Sequence, residues 1–148
     1  MNNLTNANPT DHIVTFFRAI EHETITGNFP ALAERFAETF VAASPSGAKV
    51  AQRSVFAQVL PARKEQFDKV RSRSTQLISL EATALDARYT LAGTRWQLTF
   101  ARDGQEPQKV FADSTYLVDT GAEPFQIILY LTSQDLPKVL AERGIMSE

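Results

Sequence analysis

Few side chains in this 148-residue sequence could move protons or bind metal, and their spacing restricts what they can do. There is no cysteine, which excludes a disulfide framework, a thiolate zinc site, an iron–sulfur cluster and a cysteine nucleophile, and leaves the redox compartment open. His12 and His22 fall on one helical segment but not on successive turns, so they cannot form the i, i+4 pair of a helical metal site, and no metal is expected. His12 borders an apolar stripe, where a histidine at a helix start is more often a partly exposed polar residue than a catalyst. No GxSxG, Walker, dinucleotide or paired-carboxylate motif occurs, and no cofactor is expected. What remains is Asp113, Ser114, Tyr116 and Tyr130, all in stretches of strand-like composition.

Arg53, Arg63, Lys64, Lys69, Arg71 and Arg73 form the main basic concentration, with Glu65 and Asp68 interleaved and no glycine-rich loop or aromatic platform beside them. That pattern describes a solvated helix face; a basic rim that draws an acidic ligand is the functional alternative. With a formal net charge of −2, no nucleic-acid partner is expected. The longest apolar runs, such as 125–131, fall far short of the roughly 20 residues of a membrane span. The N-terminus lacks a basic region followed by an apolar one. A soluble, cytoplasmic protein without membrane association is expected.

The elements that must position these residues follow from periodicity. Ile13, Val14, Phe16, Phe17 and Ile20 recur at helical spacing, with Thr10 or Asp11 available as cap, and the helix should stop before Gly27. Phe29, Leu32, Phe36 and Phe40 predict a second helix, capped by Asn28 with Pro30 in its first turn. After the turn cluster SPSG (44–47), Val55, Phe56, Val59 and Leu60 predict a short helix that Pro61 should break or restart before Phe67 and Val70. From Ser74 the period becomes two, predicting strands at 75–84, 88–102, 108–119 and 125–132, joined through Asp103–Gly104 and through DTG at 119–121 into an antiparallel meander. Gly93, inside GTRWQ (93–97), suggests a bulge or bend. Asp135 should cap a last helix carrying Leu136, Val139 and Leu140 and closed by Gly144. This order argues one α+β domain over 1–148, with helices on one face of a curved antiparallel sheet.

Register sorts the side chains. Pairing Trp96 with Ala112 and Val118 with Phe125 puts Thr94, Trp96, Leu98, Phe100, Val110, Ala112, Ser114, Tyr116, Val118, Phe125, Ile127, Leu129 and Leu131 on the face toward the helices. The other face takes Arg95, Gln97, Thr99, Lys109, Phe111, Asp113, Thr115, Leu117, Gln126, Ile128 and Tyr130, too polar for a core and too apolar for plain solvent exposure. Pairing with a second copy through Phe111, Leu117, Ile128 and Tyr130 is the expected cover. There Arg95 opposes Asp113 and Tyr130 is near, so the first reading of these three is an outer ladder of ion pair and hydroxyl; a one-residue slip would send Asp113 and Tyr130 inward.

GNFPALAERFAETF (27–40), PSGAKVAQRSVFAQV (45–59) and DTGAEPFQIILYLTSQD (119–135) resemble three segments of the nuclear transport factor 2-like (NTF2-like) superfamily, which includes SnoaL-like polyketide cyclases, ketosteroid isomerases and scytalone dehydratases. The resemblance implies a cone-shaped α+β domain whose sheet wraps against the helices to leave an apolar cavity, in a homodimer built through the other sheet face. Scytalone dehydratase-like members carry histidines in the cavity, and the predicted strands here contain none. A small-molecule-binding domain is the favoured expectation, its cavity lined by Phe17, Phe36, Phe40, Trp96, Phe100, Tyr116, Ile127 and Leu129, with Ser114 and the Tyr116 hydroxyl orienting a small apolar ligand. Its rival is a cofactor-independent isomerase, cyclase or hydratase with Asp113 as base and Tyr116 or Tyr130 as hydrogen-bond donor. A dimeric protein-interaction module with a filled core and no pocket is the third.

Overall fold

The structure is a computed structural model that describes residues 9–69, 72–100, 106–134 and 136–142. Helix α1 (Pro9–Thr26) starts ahead of the expected caps, with Pro9 in a first turn where its missing N–H costs nothing, and buries Ile13, Phe16, Phe17 and Ile20. It ends at Gly27, whose φ of 73° is left-handed. Helix α2 (Phe29–Glu34) is capped by the Asn28 side chain, which accepts from the Ala31 N–H. Helix α3 (Arg53–Lys69) runs through Pro61. Pro61 is exposed, whereas Leu60 is buried and Phe56 packs against the core, so tertiary packing offsets a helix break of about 3 kcal/mol. A short α4 (Leu136–Glu142) follows the last strand.

Six strands, β1 (Phe36–Ser44), β2 (Gly47–Gln52), β3 (Ser72–Ala84), β4 (Tyr89–Phe100), β5 (Gln108–Asp119) and β6 (Gln126–Thr132), make one curved sheet in the order β2-β1-β6-β5-β4-β3. The α+β class is as expected, but two strands were not anticipated and the sheet is mixed, because β1 runs parallel to β6. Phe36 and Phe40 explain the first correction. A spacing of four suits a helix stripe and equally one face of a strand, and backbone pairing with both β2 and β6 decides for the strand. The second, β2, has only exposed or half-exposed residues and so shows no apolar period.

Trp96 pairs with Ala112 as expected, and Trp96 and Tyr116 lie buried on the same face. Val118 pairs with Ile127 rather than Phe125, a shift of two that preserves the face of Ile127. The next pair is Leu117 with Leu129, so Ile128 is an extra residue and alternation reverses beyond it. Tyr130, opposite Tyr116, therefore turns inward, and Leu129 and Leu131 join the outer face, reversing their expected places. Gly93 keeps regular register with both neighbours; register shifts occur instead in β6, in β1 between Phe36 and Val41, and in β3 between Ser72 and Ser74 and between Leu77 and Ser79.

At the β3 bulge, α1 supplies the missing partners. Glu21 Oε2 accepts the Leu77 N–H at 2.6 Å, Arg18 Nη1 donates to the Leu77 carbonyl at 3.1 Å, and the two side chains pair with each other. Nearby, buried Glu23 holds Arg35 through bonds of 2.6 and 3.1 Å, and the Arg35 carbonyl accepts the Ile127 N–H at 2.8 Å, joining α1, the end of α2 and β6. Asp103–Gly104, Asp135, Gly144 and the side chains of Arg63, Lys64, Phe67, Lys69, Val70, Arg71, Arg73, Leu136 and Leu140 lie outside the described residues.

Candidate functional site

The helices and the concave sheet face line a half-open cavity of about 240 Å³. On the helical side α1 contributes Ile20 and Thr24, α2 Leu32, and α3 Phe56 and Leu60, the last two one turn apart and so on one helix face. The sheet contributes Phe36 from β1, Thr75 from β3, Trp96 and Leu98 from β4, Ala112 to Ser114 and Tyr116 from β5, and Ile127, Tyr130 and Thr132 from β6, with Gln134 just beyond. Aromatic rings form one continuous wall. Phe36 stands 4.7 Å from Phe56 and 6.4 Å from Tyr130, Tyr130 lies 5.0 Å from Tyr116, and Phe17 backs Tyr116 at 4.9 Å.

On the β4–β5 wall the buried side-chain polar atoms of Thr94, Trp96, Ser114 and Tyr116 form one chain of hydrogen bonds. Trp96 Nε1 donates to Thr94 Oγ1 at 2.9 Å, Thr94 Oγ1 donates to the Ser114 carbonyl at 2.9 Å and lies 3.0 Å from Ser114 Oγ, and Ser114 Oγ donates to the Tyr116 hydroxyl at 3.3 Å. Alternation puts residues 94, 96, 114 and 116 on one face, and the pairing of Thr94 with Ser114 brings the two strands' hydroxyls together. Burial pushes the Tyr116 hydroxyl well above the ordinary phenol range, with the neighbouring Tyr130 acting in the same direction, and this outweighs the opposing effect of the hydrogen bonds from Ser114, Trp96 and Thr94. Tyr116 is thus a neutral donor throughout the physiological range.

Asp113 is the one charged residue among the described residues that line the cavity, and it borders the rim. Its N–H donates to Gln134 Oε1 and its carbonyl accepts from Ser133, while its carboxylate lies on the outer face and takes Arg95 Nε at 3.0 Å and Nη2 at 3.4 Å. Both partners are about half exposed. Asp113 and Tyr130 are therefore not brought together: the β6 bulge turns one inward while the regular β4–β5 register keeps the other out. Of the residues expected to line a cavity, Phe36, Trp96, Ser114, Tyr116 and Ile127 do so. Phe17, Phe40 and Phe100 are buried in the core behind it, and Leu129 pairs with Leu117 on the outer face.

The sequence reading put Tyr130 on the outer face and inward only with a one-residue slip, because IILYL has no period to reveal a bulge, and it missed the joining role of Thr94. The Phe56–Leu60 spacing was the signal for the helical wall. His12, against Phe125 at 6.4 Å, and His22 are exposed and off the cavity. Among the described residues no group of three His, Asp or Glu side chains is placed to hold a metal ion. Among the same residues no helix is long and apolar enough to cross a membrane.

No family model matches the sequence, and no curated protein matches it significantly. Solved structures do resemble it. An NTF2-like protein of unknown function from Shewanella oneidensis superposes with a TM-score of 0.65 at 20% identity, covering 86% of this chain and 100% of that one. An NTF2-like protein from Novosphingobium aromaticivorans gives 0.70 at 12% identity, covering 94% and 89%. A candidate polyketide cyclase from Xanthomonas campestris gives 0.56 at 17% identity, covering 88% and 96%. With helices packed on an unclosed, curved six-stranded sheet, this chain has the NTF2-like α+β cone fold.

Proposed function

We propose that residues 1–148 form one domain that binds a small, largely apolar molecule in the cavity. The observation that carries this reading is the make-up of its lining: aromatic and aliphatic walls, with the hydroxyls of Ser114 and Tyr116 held in one chain of hydrogen bonds and part-buried Thr24, Thr75, Thr132 and Gln134 as the other uncharged polar residues. Ligand sites of this kind combine apolar walls with a few placed polar groups. The likeness to a candidate polyketide cyclase keeps catalysis as the rival. Proton abstraction requires a base within hydrogen-bond reach of the substrate, and the Asp113 carboxylate is engaged by Arg95 on the opposite face, which favours binding over turnover. A thermal-shift and native mass spectrometry screen with polyketide, steroid, fatty-acyl and aromatic panels tests it. A ligand at 100 times its Kd stabilises by about 2.7 kcal/mol, and a panel in which nothing binds or raises the melting point overturns the reading.

The outer sheet face supports a second part of the reading, association of two copies. The registers align Val50, Val41, Leu129, Leu117 and Leu91 in one row across five strands, with exposed Leu131 beside it. An apolar row of this extent suits an isologous contact. Tyr130 does not belong to it, and Leu129 and Leu131 take its place.

A further inference from the structure

The sheet ends at β3 on one side and at β2 on the other, and a sheet edge presents backbone groups that accept another strand unless something covers them. At the β3 edge, Glu21 Oε2 accepts the Leu77 N–H and Arg18 Nη1 donates to the Leu77 carbonyl, the two bonds that an added strand would make there, so α1 plugs that edge. β2 has no such plug among the described residues, and five of its six residues are exposed, Val50 to 70%. We infer that two copies of the chain join at this edge by antiparallel pairing of β2 with β2, a contact separate from the one proposed for the outer face.

The direction of the free backbone groups follows from the hairpin. Only Pro45 and Ser46 separate Ser44 from Gly47, so these two exchange backbone hydrogen bonds and, by alternation, so do Ala42 with Lys49 and Phe40 with Ala51. The N–H and C=O groups of Ala48 and Val50, and the N–H of Gln52, are left pointing off the edge. A two-fold axis at Val50 sets Val50 opposite its own copy and Ala48 opposite Gln52, so that every outward residue meets an outward residue. Lys49, the only charge in β2, then faces Ala51. An axis at Lys49 would put two ammonium groups directly opposite each other, and an axis at Ala51 would leave Ala48 unmatched. Val50 also ends the outer apolar row, so pairing at Val50 continues that row into the second sheet. Because only one short strand is joined, the contact is weak, with a Kd of about 0.1–1 mM, and adds to the face contact only at high concentration.

The chain has no cysteine, so introduced thiols report the register. In the full chain at sub-millimolar concentration under mild oxidation, Val50→Cys should form a disulfide-linked dimer at least about tenfold faster than Ala48→Cys. Opposed Cα atoms about 5.5 Å apart suit a disulfide, whereas Ala48 and its copy would lie roughly 13 Å apart. Combining Ala48→Cys with Gln52→Cys should restore the rate of Val50→Cys. Ala48→Pro deletes an outward N–H while sparing the hairpin bonds and the apolar row, and in the Val50→Cys background should slow cross-linking by about tenfold. Leu131→Glu, which acts on the face contact, should leave that rate unchanged. Far-UV circular dichroism checks folding; if Ala48→Pro does not fold, the comparison of the single and double thiol variants decides alone. Equal rates for Val50→Cys and Ala48→Cys, no cross-linked dimer, or slowing by Leu131→Glu and not by Ala48→Pro overturns the inference.

Discussion

At Thr94 a single hydroxyl accepts from the Trp96 indole, donates to the Ser114 carbonyl and touches the Ser114 hydroxyl, all in buried surroundings. Replacing it with valine keeps the shape and removes every one of these bonds, taking from the Trp96 N–H its acceptor at 2.9 Å. Thr94→Val should therefore cost about 1–3 kcal/mol in a urea titration with an unchanged m-value, and a loss below about 0.5 kcal/mol would argue that the chain of bonds contributes little. That Trp96, Ser114 and Tyr116 share a face was legible from alternation along β4 and β5 and the correctly placed Trp96–Ala112 pair. That Thr94 links them was not, since a threonine on an apolar face is equally at home as a β-branched filler.

Among the elements, the β5–β6 connection and the turn before β4 are held together by one ion pair. Arg88 places Nε and Nη2 each 2.9 Å from the Asp119 carboxylate, which also accepts the Gly121 N–H at 3.0 Å, while the Arg88 carbonyl accepts from both the N–H and the hydroxyl of Thr120. The hydrogen bond from Arg88 is the main cause that holds the Asp119 carboxyl below its ordinary value, against an opposing effect of burial. A carboxyl depressed in the folded state stabilises it above the unfolded value, near 3.9, and loses that contribution as pH falls through the folded value. Asp119→Asn should thus lower the melting temperature at neutral pH, and the gap to the wild type should narrow as pH drops below about 4. A gap that is constant with pH would mean that the charge plays no part. The turn signal DTG at 119–121 was visible in the sequence, but the partner of Asp119 lies 31 positions away and is brought near only by the β4–β5 pairing.

The whole molecule presents its outer apolar row on a single six-stranded layer, with β1 closing parallel against β6. If two copies meet there, Leu131→Glu, at a side chain 41% exposed, should convert a dimer to a monomer at micromolar concentration by light scattering without loss of melting temperature beyond that of dissociation. A wild-type chain that stays monomeric on concentration would remove the proposed contact. Much of this architecture follows from the sequence alone: the amphipathic stripe of α1, the change of period near Ser74, the three long antiparallel strands and the face shared by Trp96 and Tyr116 depend on local alternation and turn chemistry. Three features were decided only by tertiary structure. Residues 36–44 became a strand because two neighbours offered backbone partners, Pro61 stayed within α3 because Leu60 and Phe56 are anchored in the core, and Tyr130 turned into the cavity because one residue was bulged out at Ile128. Side-chain pattern specifies a period, and where two periods fit equally or a continuous apolar run fits neither, pairing energies between segments distant in sequence choose the outcome.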